Sequence, residues 1–259
     1  MEAGTLRERR RALAPQRERV KLDLRRLRDA AGADIAFLDY EPRRARRATL
    51  VVGHGYSSSK HNLDFMCNFL AGHGFHVLSL DFPGHKLGAS GGRLTSAHAL
   101  TAAMAAVVRF ARETYPDAAV YACGHSMGAT TALRTCAEDP SIAGAISIAT
   151  GWGRPAALEA LGGGARVDLR AAYVDGLSLP QLVAETEPLL EAALPKLAGR
   201  PVLYVAASRD AMVSSRSANE LFARAPEPKT FATVESDHTY AGENARATVL
   251  AWLAERHPR

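Results

Sequence analysis

The sequence predicts an α/β fold in which helices cover a mostly parallel β-sheet. From residue 48 onward, short apolar runs rich in Val, Ile and Leu alternate with longer stretches of helical periodicity. Gly, Ser or Asp marks each joint between an apolar run and the helical stretch that follows it. This alternation is typical of parallel strands, because each pair of parallel strands needs a long crossover connection that covers a face of the sheet.

The strands and helices can be placed in chain order. Residues 19–41 predict an antiparallel hairpin at the sheet edge, because Val20, Leu22 and Leu24 alternate with charged residues. The Arg cluster at 43–47 is then a turn. Further strands are predicted at 48–53, 75–81, 119–123, 142–149, 201–206 and 229–235. Helices are predicted at about 60–72, 95–114, 127–137, 214–224 and 243–256.

One long interval separates the strand that ends near Ala149 from the strand that starts at Pro201. Its composition is helical, but three glycines at 162–164 interrupt it. We interpret it as a cap inserted at about 152–198; the alternative is a connecting helix pair that does not contact substrate. The residues that could cover a pocket are Leu158, Leu161, Leu169, Tyr173, Leu177, Leu179, Leu182 and Leu189. Candidate hinges are Gly151, Gly153, Pro155, Pro180, Pro188 and Pro195.

Length and composition indicate one globular domain. The chain has 259 residues, 47% of them hydrophobic and 23% charged, which excludes disorder, collagen and coiled coil as descriptions of the whole chain. Its net charge of +5 is concentrated in residues 1–47, which carry 14 basic and 8 acidic residues, whereas the remaining 212 carry 18 and 19. Residues 1–18 are therefore predicted to form a basic N-terminal arm, ahead of a single globular domain at 19–259.

The composition of this arm argues against one class of partner, nucleic acids. Its arginines are not interleaved with aromatic residues and match no known motif, so we expect no nucleic-acid binding. A partly helical arm that packs on the body or on a partner subunit is the preferred interpretation, with a monomer and a homodimer both left open. No apolar run predicts a secretory signal or a transmembrane helix.

Three cysteines, Cys67, Cys123 and Cys136, occur at no metal-ligand spacing. Each lies in an apolar or helical stretch, which favours buried free thiols in a reducing compartment. We therefore expect a cytoplasmic protein with no metal.

A serine nucleophile is predicted within residues 124–128, which read Gly124-His125-Ser126-Met127-Gly128. In this G-x-S-x-G pattern the serine occupies a strained turn between a strand and a helix, and the glycines avoid collisions with their neighbours. The context fits, because an apolar strand precedes the motif and a helical stretch that ends at Pro140 follows it.

The serine needs a base and an orienting acid, and both should follow later strands, because the carboxyl ends of parallel strands meet. His238 follows the predicted strand at 229–235, whereas His257 lies beyond the last helix. Asp210 follows the strand at 201–206 and gives the order Ser126, Asp210, His238. Asp237 competes for the acid, but a residue adjacent to the histidine seldom reaches the far side of its ring.

An oxyanion hole is predicted from two backbone amides, those of Met127 and of Tyr56. Gly55 would allow the close turn, and we interpret His54 as bracing this loop rather than as a second base. We also expect His54, Gly55, His125 and Trp152 to lie near the pocket. The loop at 81–90 is interpreted as structural.

Together these segments resemble the α/β-hydrolase superfamily. The resemblance runs from about residue 20 to 257 and is carried by residues 54–56, 81–90, 124–128, 208–210 and 236–238. It is similar to the serine esterase and lipase-like branch with a small lid, such as carboxylesterases, monoacylglycerol lipases and cinnamoyl esterases. The resemblance implies an eight-stranded sheet and a cap after the sixth strand. The loop His54-Gly55-Tyr56 lacks the HGGG form of hormone-sensitive-lipase-like enzymes, and a serine nucleophile disfavours epoxide and dienelactone hydrolases.

These residues predict hydrolysis of a carboxylic ester through an acyl-enzyme, without a cofactor. The apolar cap segment favours an uncharged acyl group of short or medium length on a small-molecule ester. Thioester or amide cleavage and acyl transfer use the same triad and stay open. A catalytically silent binding module is disfavoured, because serine, acid and histidine occur together in the required order.

Overall fold

An eight-stranded sheet forms the centre of the protein. The computed structural model describes residues 20–154 and 171–258, and within them the strands lie in the order β1-β2-β4-β3-β5-β6-β7-β8. Their bounds are β1 Val20–Arg28, β2 Asp34–Pro42, β3 Ala48–Gly53, β4 His76–Leu80, β5 Ala119–His125, β6 Gly144–Ile148, β7 Val202–Ala207 and β8 Lys229–Val234. The predicted fold class is confirmed, and so is the hairpin, since β1 pairs with β2 antiparallel over their full length.

The sheet is parallel from β4 to β8, and only β2 runs against its neighbours β1 and β4. From β3 the chain crosses first to β4 on one side and then to β5 on the other. Gly53, the last residue of β3, therefore lies opposite Gly124 of β5. A crevice opens where strand order reverses in this way, and ligands of open α/β sheets bind there.

Helices cover both faces of the sheet. Among the described residues they are α1 Asp64–Gly72, α2 Ala97–Thr114, α3 Met127–Glu138, α4 Leu179–Ala193, α5 Ser215–Arg224, α6 Ala241–Asn244 and α7 Arg246–Arg256. Because side chains alternate along a strand, Val51 joins the core beneath α2, α3 and α4, whereas Leu50 and Val52 join the core beneath α1 and α7. Both cores are buried, and their packing holds the sheet in place. The ends of its strands carry the residues of the site.

Two predicted helices are divided. The one at 60–72 begins as a short 3-10 helix, Lys60–Leu63, and continues as α1. The one at 243–256 is α6 and α7, which Ala245 separates. The apolar periodicity continues across both breaks, so it could not reveal them. None of the helices described is long and apolar enough to cross a membrane.

The predicted cap lies partly outside the described residues, as does the predicted arm at 1–18. Residues 155–170, which include Leu158, Leu161, Leu169 and the three consecutive glycines, are among those not described. The part that is described contains α4, which begins at a capping box formed by Ser178 and Gln181. This helix packs against α3 and α2.

Candidate active site

Ser126 occupies a strained turn between β5 and α3. Its backbone has φ 54° and ψ −112°, outside the regions that residues with a side chain normally adopt. The amide of Ser126 donates to the carbonyl of Ile148 in β6 at 2.8 Å, which holds the turn against the neighbouring strand.

The positions that flank Ser126 require glycine, because neighbouring backbone atoms leave no room for a Cβ. A Cβ on Gly124 would lie 2.2 Å from the carbonyl carbon of Gly128, and a Cβ on Gly128 would lie 2.1 Å from the carbonyl oxygen of Gly53. Gly55, in the loop after β3, is also close: its Cβ would lie 3.5 Å from the Cβ of Ser126. The loop after β3 therefore adjoins the serine.

The structure brings Ser126, His238 and Asp210 together in a hydrogen-bonded chain. His238 Nε2 lies 3.0 Å from Ser126 Oγ, and His238 Nδ1 lies 2.8 Å from Asp210 Oδ2. Asp237, the competing acid, instead accepts a hydrogen bond from the amide of Tyr240. This arrangement places a base next to the serine hydroxyl and an acid on the far side of that base.

Asp210 is held as a carboxylate. Burial opposes its ionisation, but the hydrogen bond and charge of His238 and the amides of Val213 and Met212 outweigh burial and hold its pKa below the usual value. An ionised carboxylate can only accept, so His238 must carry its proton on Nδ1. The lone pair of Nε2 then faces the hydroxyl of Ser126, as a general base requires.

His125 supports the histidine loop rather than the reaction. Its Nε2 lies 2.7 Å from the carbonyl oxygen of His238, to which it donates, and its Nδ1 has no partner among the described residues. Burial, and then the neighbouring ring of His238, lower the pKa of His125 to about 4. The neutral ring therefore fixes the backbone of His238 in place.

The loop after β3 is braced by two side chains. His54 donates from Nδ1 to the carbonyl of Gly55 at 2.7 Å, and its Nε2 accepts from the amide of Phe82 at 3.0 Å. Both nitrogens are thus bonded to backbone and do not point at the serine. Tyr56 donates its hydroxyl to the carbonyl of Leu177 at 3.0 Å, which links this loop to the segment before α4.

Met127 is the first residue of α3, where helix amides lack partners within the helix. Tyr56 lies next to Gly55 and hence near the serine. The structure therefore places both residues predicted for the oxyanion hole beside Ser126.

A cavity adjoins Met127, the residue that follows Ser126 in the chain. It is lined by Leu100, Met127, Thr130, Thr131, Gly151, Arg154, Leu179, Leu182, Val183, Thr186, Glu187 and Leu190. The four residues expected near the pocket, His54, Gly55, His125 and Trp152, are not among them. Trp152 packs against α5 instead, where its amide donates to the carbonyl of Ser217 and its ring lies 4.3 Å from the guanidinium of Arg224.

Arg154, which is 7% exposed and lines this cavity, is not among the residues predicted from the sequence. Its position after β6, in a segment rich in glycine and proline, resembles that of the other site residues and could have marked it. Its burial could not be read from the sequence, because surface arginines also follow strands.

Comparison with known proteins identifies a family and a fold. A family model described as serine aminopeptidase, S33, matches residues 44–187, more than half of the chain. A cold-adapted esterase from an Arctic intertidal metagenomic library has a TM-score of 0.68 at 19% identity, over 92% of this chain and 94% of that one. The esterase domain of a Rhodothermus marinus protein gives 0.69 at 21%, over 92% and 99%. The Pyrococcus furiosus esterase Pf2001 gives 0.71 at 18%, over 94% and 95%. No curated protein matches the sequence.

Proposed function

The chain belongs to the serine aminopeptidase S33 family of α/β hydrolases, and from this premise we propose that it cleaves a carboxylic ester of short to medium acyl chain through an acyl-enzyme at Ser126. The observation that carries the proposal is the chain of contacts from Ser126 through His238 to Asp210. Esterases among the solved structures with this fold support the choice of an ester.

The first half of the proposed reaction forms the acyl-enzyme. His238 Nε2 takes the proton of Ser126 Oγ as the oxygen attacks the ester carbonyl carbon, and Asp210 stabilises the imidazolium that results. The carbonyl oxygen becomes an oxyanion, which the amides of Met127 and Tyr56 stabilise. When the tetrahedral intermediate collapses, His238 returns the proton to the leaving oxygen, and the alcohol departs.

The second half uses the same groups with water. His238 removes a proton from a water molecule that attacks the acyl carbon, and the amides again stabilise the oxyanion. Collapse breaks the bond to Ser126 Oγ, which regains its proton from His238, and releases the carboxylic acid. The tie between Tyr56 and the segment before α4 supports a role for the described part of the 152–198 interval as a cap over this chemistry.

Replacing the nucleophile tests the proposal. We expect Ser126→Ala to abolish turnover of a p-nitrophenyl acyl ester and covalent labelling by a fluorophosphonate, because no other group takes the position beside His238 Nε2. Ser208→Ala, which removes an exposed hydroxyl after β7, is the matched control and should keep both. Turnover or labelling that survives in Ser126→Ala would refute the assignment.

The description of the family as aminopeptidases favours one further candidate, cleavage of an amide. The same serine, base and acid would act, but His238 would have to protonate an amine before it could leave. Rates on an amino-acid p-nitroanilide and on p-nitrophenyl esters of matched acyl length separate the two. Faster turnover of the anilide would replace the ester assignment.

A further inference from the structure

Arg154 is a buried cation without a partner in the part of the chain that the structure describes. Its side chain lines the cavity beside Met127 and is 7% exposed. None of the acceptors in residues 20–154 and 171–258 makes a hydrogen bond or an ion pair with its guanidinium. An arginine stays protonated, so this position holds a positive charge that lacks compensation at contact distance.

The two carboxylates whose charge acts on Arg154 already accept hydrogen bonds from other groups. Asp210 accepts from Met212 and Val213 at Oδ1 and lies against His238 at Oδ2. Glu187 accepts from the amide of Gly153 at 2.6 Å. Both raise the pKa of Arg154 through their charge, but burial outweighs them and lowers it. A buried charge left in this state costs several kcal/mol, an arrangement expected where a ligand completes the pair.

Among the described side chains that line the cavity, the threonine hydroxyls are bonded to the protein itself. The hydroxyls of Thr131 and Thr186 donate to the carbonyls of Met127 and Leu182. Thr130 bonds to Thr150 at 3.1 Å. The guanidinium of Arg154 is thus the lining group with donors left to offer to a bound molecule.

The proposed reaction assigns this cavity to the acyl group of the substrate. Met127 lines it, whereas none of the residues 236–240, which carry His238, does so. In the proposed reaction the leaving oxygen must meet His238 Nε2, so the alcohol lies towards that loop. The acyl chain is then the part of the substrate that enters the cavity.

We propose that Arg154 binds a carboxylate at the far end of the acyl group, so that the preferred substrates are half-esters of dicarboxylic acids. The inference rests on the proposed ester hydrolysis and deepens it. The planar guanidinium can hold a carboxylate through two parallel hydrogen bonds, which a buried site strengthens. This assignment replaces the uncharged acyl group that the apolar residues of the cap segment suggested.

The test compares monomethyl esters of the dicarboxylic acids from succinate to sebacate with methyl esters of monocarboxylic acids of equal chain length. We expect the enzyme to favour the anionic member at one chain length by about 10- to 100-fold in kcat/KM, the range expected for hydrogen bonds to a charged group. Arg154→Gln should lower kcat/KM for the anionic esters far more than for the neutral ones, mainly through KM, and Arg154→Lys should restore part of the preference. Arg216→Gln, which removes an exposed guanidinium from α5, is the control.

A stability measurement separates binding from a structural role. Since the charge is buried and has no ion-pair partner in residues 20–154 and 171–258, Arg154→Met should raise the Tm, whereas a structural ion pair would make the same change lower it. A lower Tm, or equal effects of Arg154→Gln on anionic and neutral esters, overturns the inference. If neither class of ester is cleaved and a fluorophosphonate leaves Ser126 unlabelled, the proposed ester hydrolysis fails instead.

Discussion

At the scale of single residues, the site depends on a few positions where backbone approaches backbone. The strained conformation of Ser126 costs roughly 1 to 3 kcal/mol, and the surrounding contacts maintain it. The spacing of Gly124, Ser126 and Gly128 predicted this turn because its requirement is local. The pairing of His125 with the carbonyl of His238 could not be predicted in the same way, because 113 positions separate the two residues in sequence.

Gly128 provides a test of this local requirement. In Gly128→Ala the new Cβ would lie 2.1 Å from the carbonyl oxygen of Gly53, so β3 and α3 would have to separate. We expect a loss of several kcal/mol in the free energy of unfolding, comparable to other overpacked sites, together with loss of fluorophosphonate labelling. Urea unfolding measures the first and gel fluorescence the second.

Gly72→Ala is the matched control, because a Cβ there meets nothing within 4 Å. At the end of α1 this change should leave the stability unchanged or raise it by up to about 1 kcal/mol. Equal stability losses in the two variants would show that the approach of Gly128 to β3 is not what the turn requires.

At the scale of elements, a buried ion pair fixes the loops around the serine. Asp81, just after β4, accepts from Lys60 Nζ at 2.5 Å, from the amide of Lys60 at 2.7 Å and from the amide of Ala89 at 2.7 Å. One carboxylate thus joins the loop after β3 to the loop at 81–90. Burial opposes its ionisation, but these hydrogen bonds hold its pKa below the usual value.

Removing the cation tests this brace. Lys60→Met leaves the buried carboxylate of Asp81 without its countercharge, and we expect a loss of about 3 to 5 kcal/mol in the free energy of unfolding. Because the loop that carries Tyr56 would be released, kcat should fall as well. Arg209→Met, which breaks an exposed pair with Glu235, should cost less than about 1 kcal/mol. Similar losses for both variants in urea unfolding would rule out the buried brace.

The sequence predicted whether a segment is a helix or a strand more directly than it predicted the residues at which the segment begins and ends. Short apolar runs identified the strands from residue 48 onward because burial on both faces of the sheet imposes them, and the structure shifts their ends by at most two residues. The 3-10 helix before α1 depends on hydrogen bonds of tighter spacing, such as that from the amide of Asn62 to the carbonyl of Ser59. Such local bonding leaves no mark on the hydrophobic pattern.

At the scale of the whole molecule, the net positive charge of the chain and the charged side chains at the site lie in different parts of the sequence. The surplus of basic residues lies at the start of the chain, whereas the buried charges of the site and its neighbouring cavity are the carboxylate of Asp210 and the guanidinium of Arg154. The serine, the acid and the histidine each follow a strand of one parallel sheet. The order of their motifs in the sequence therefore predicted that the three residues meet at one edge of that sheet. A cavity formed by α2, α3, α4 and the residues after β6 depends on long-range packing, so its lining could not be predicted.

Buried histidines make the whole fold sensitive to acid. Burial, the largest cause in each case, lowers the pKa of His54 to about 3 and that of His125 to about 4. Both rings stay neutral in the folded protein, whereas in the unfolded chain they take up protons below about pH 6.5. The unfolded state then binds more protons than the folded state, so the free energy of unfolding falls as the pH drops below that value. Asp81 and Asp210, whose pKa values are also lowered, extend the loss to more acid pH.

Unfolding in urea at a series of pH values measures this dependence. Between pH 8 and pH 5 each of the two histidines should lower the free energy of unfolding by about 2 kcal/mol. His125→Asn removes one titrating ring, so its curve should be flatter over this range by the same amount, whatever the variant loses at pH 8. A wild-type curve that stays level between pH 8 and pH 5, or a variant curve parallel to it, would contradict the view that burial keeps these rings neutral.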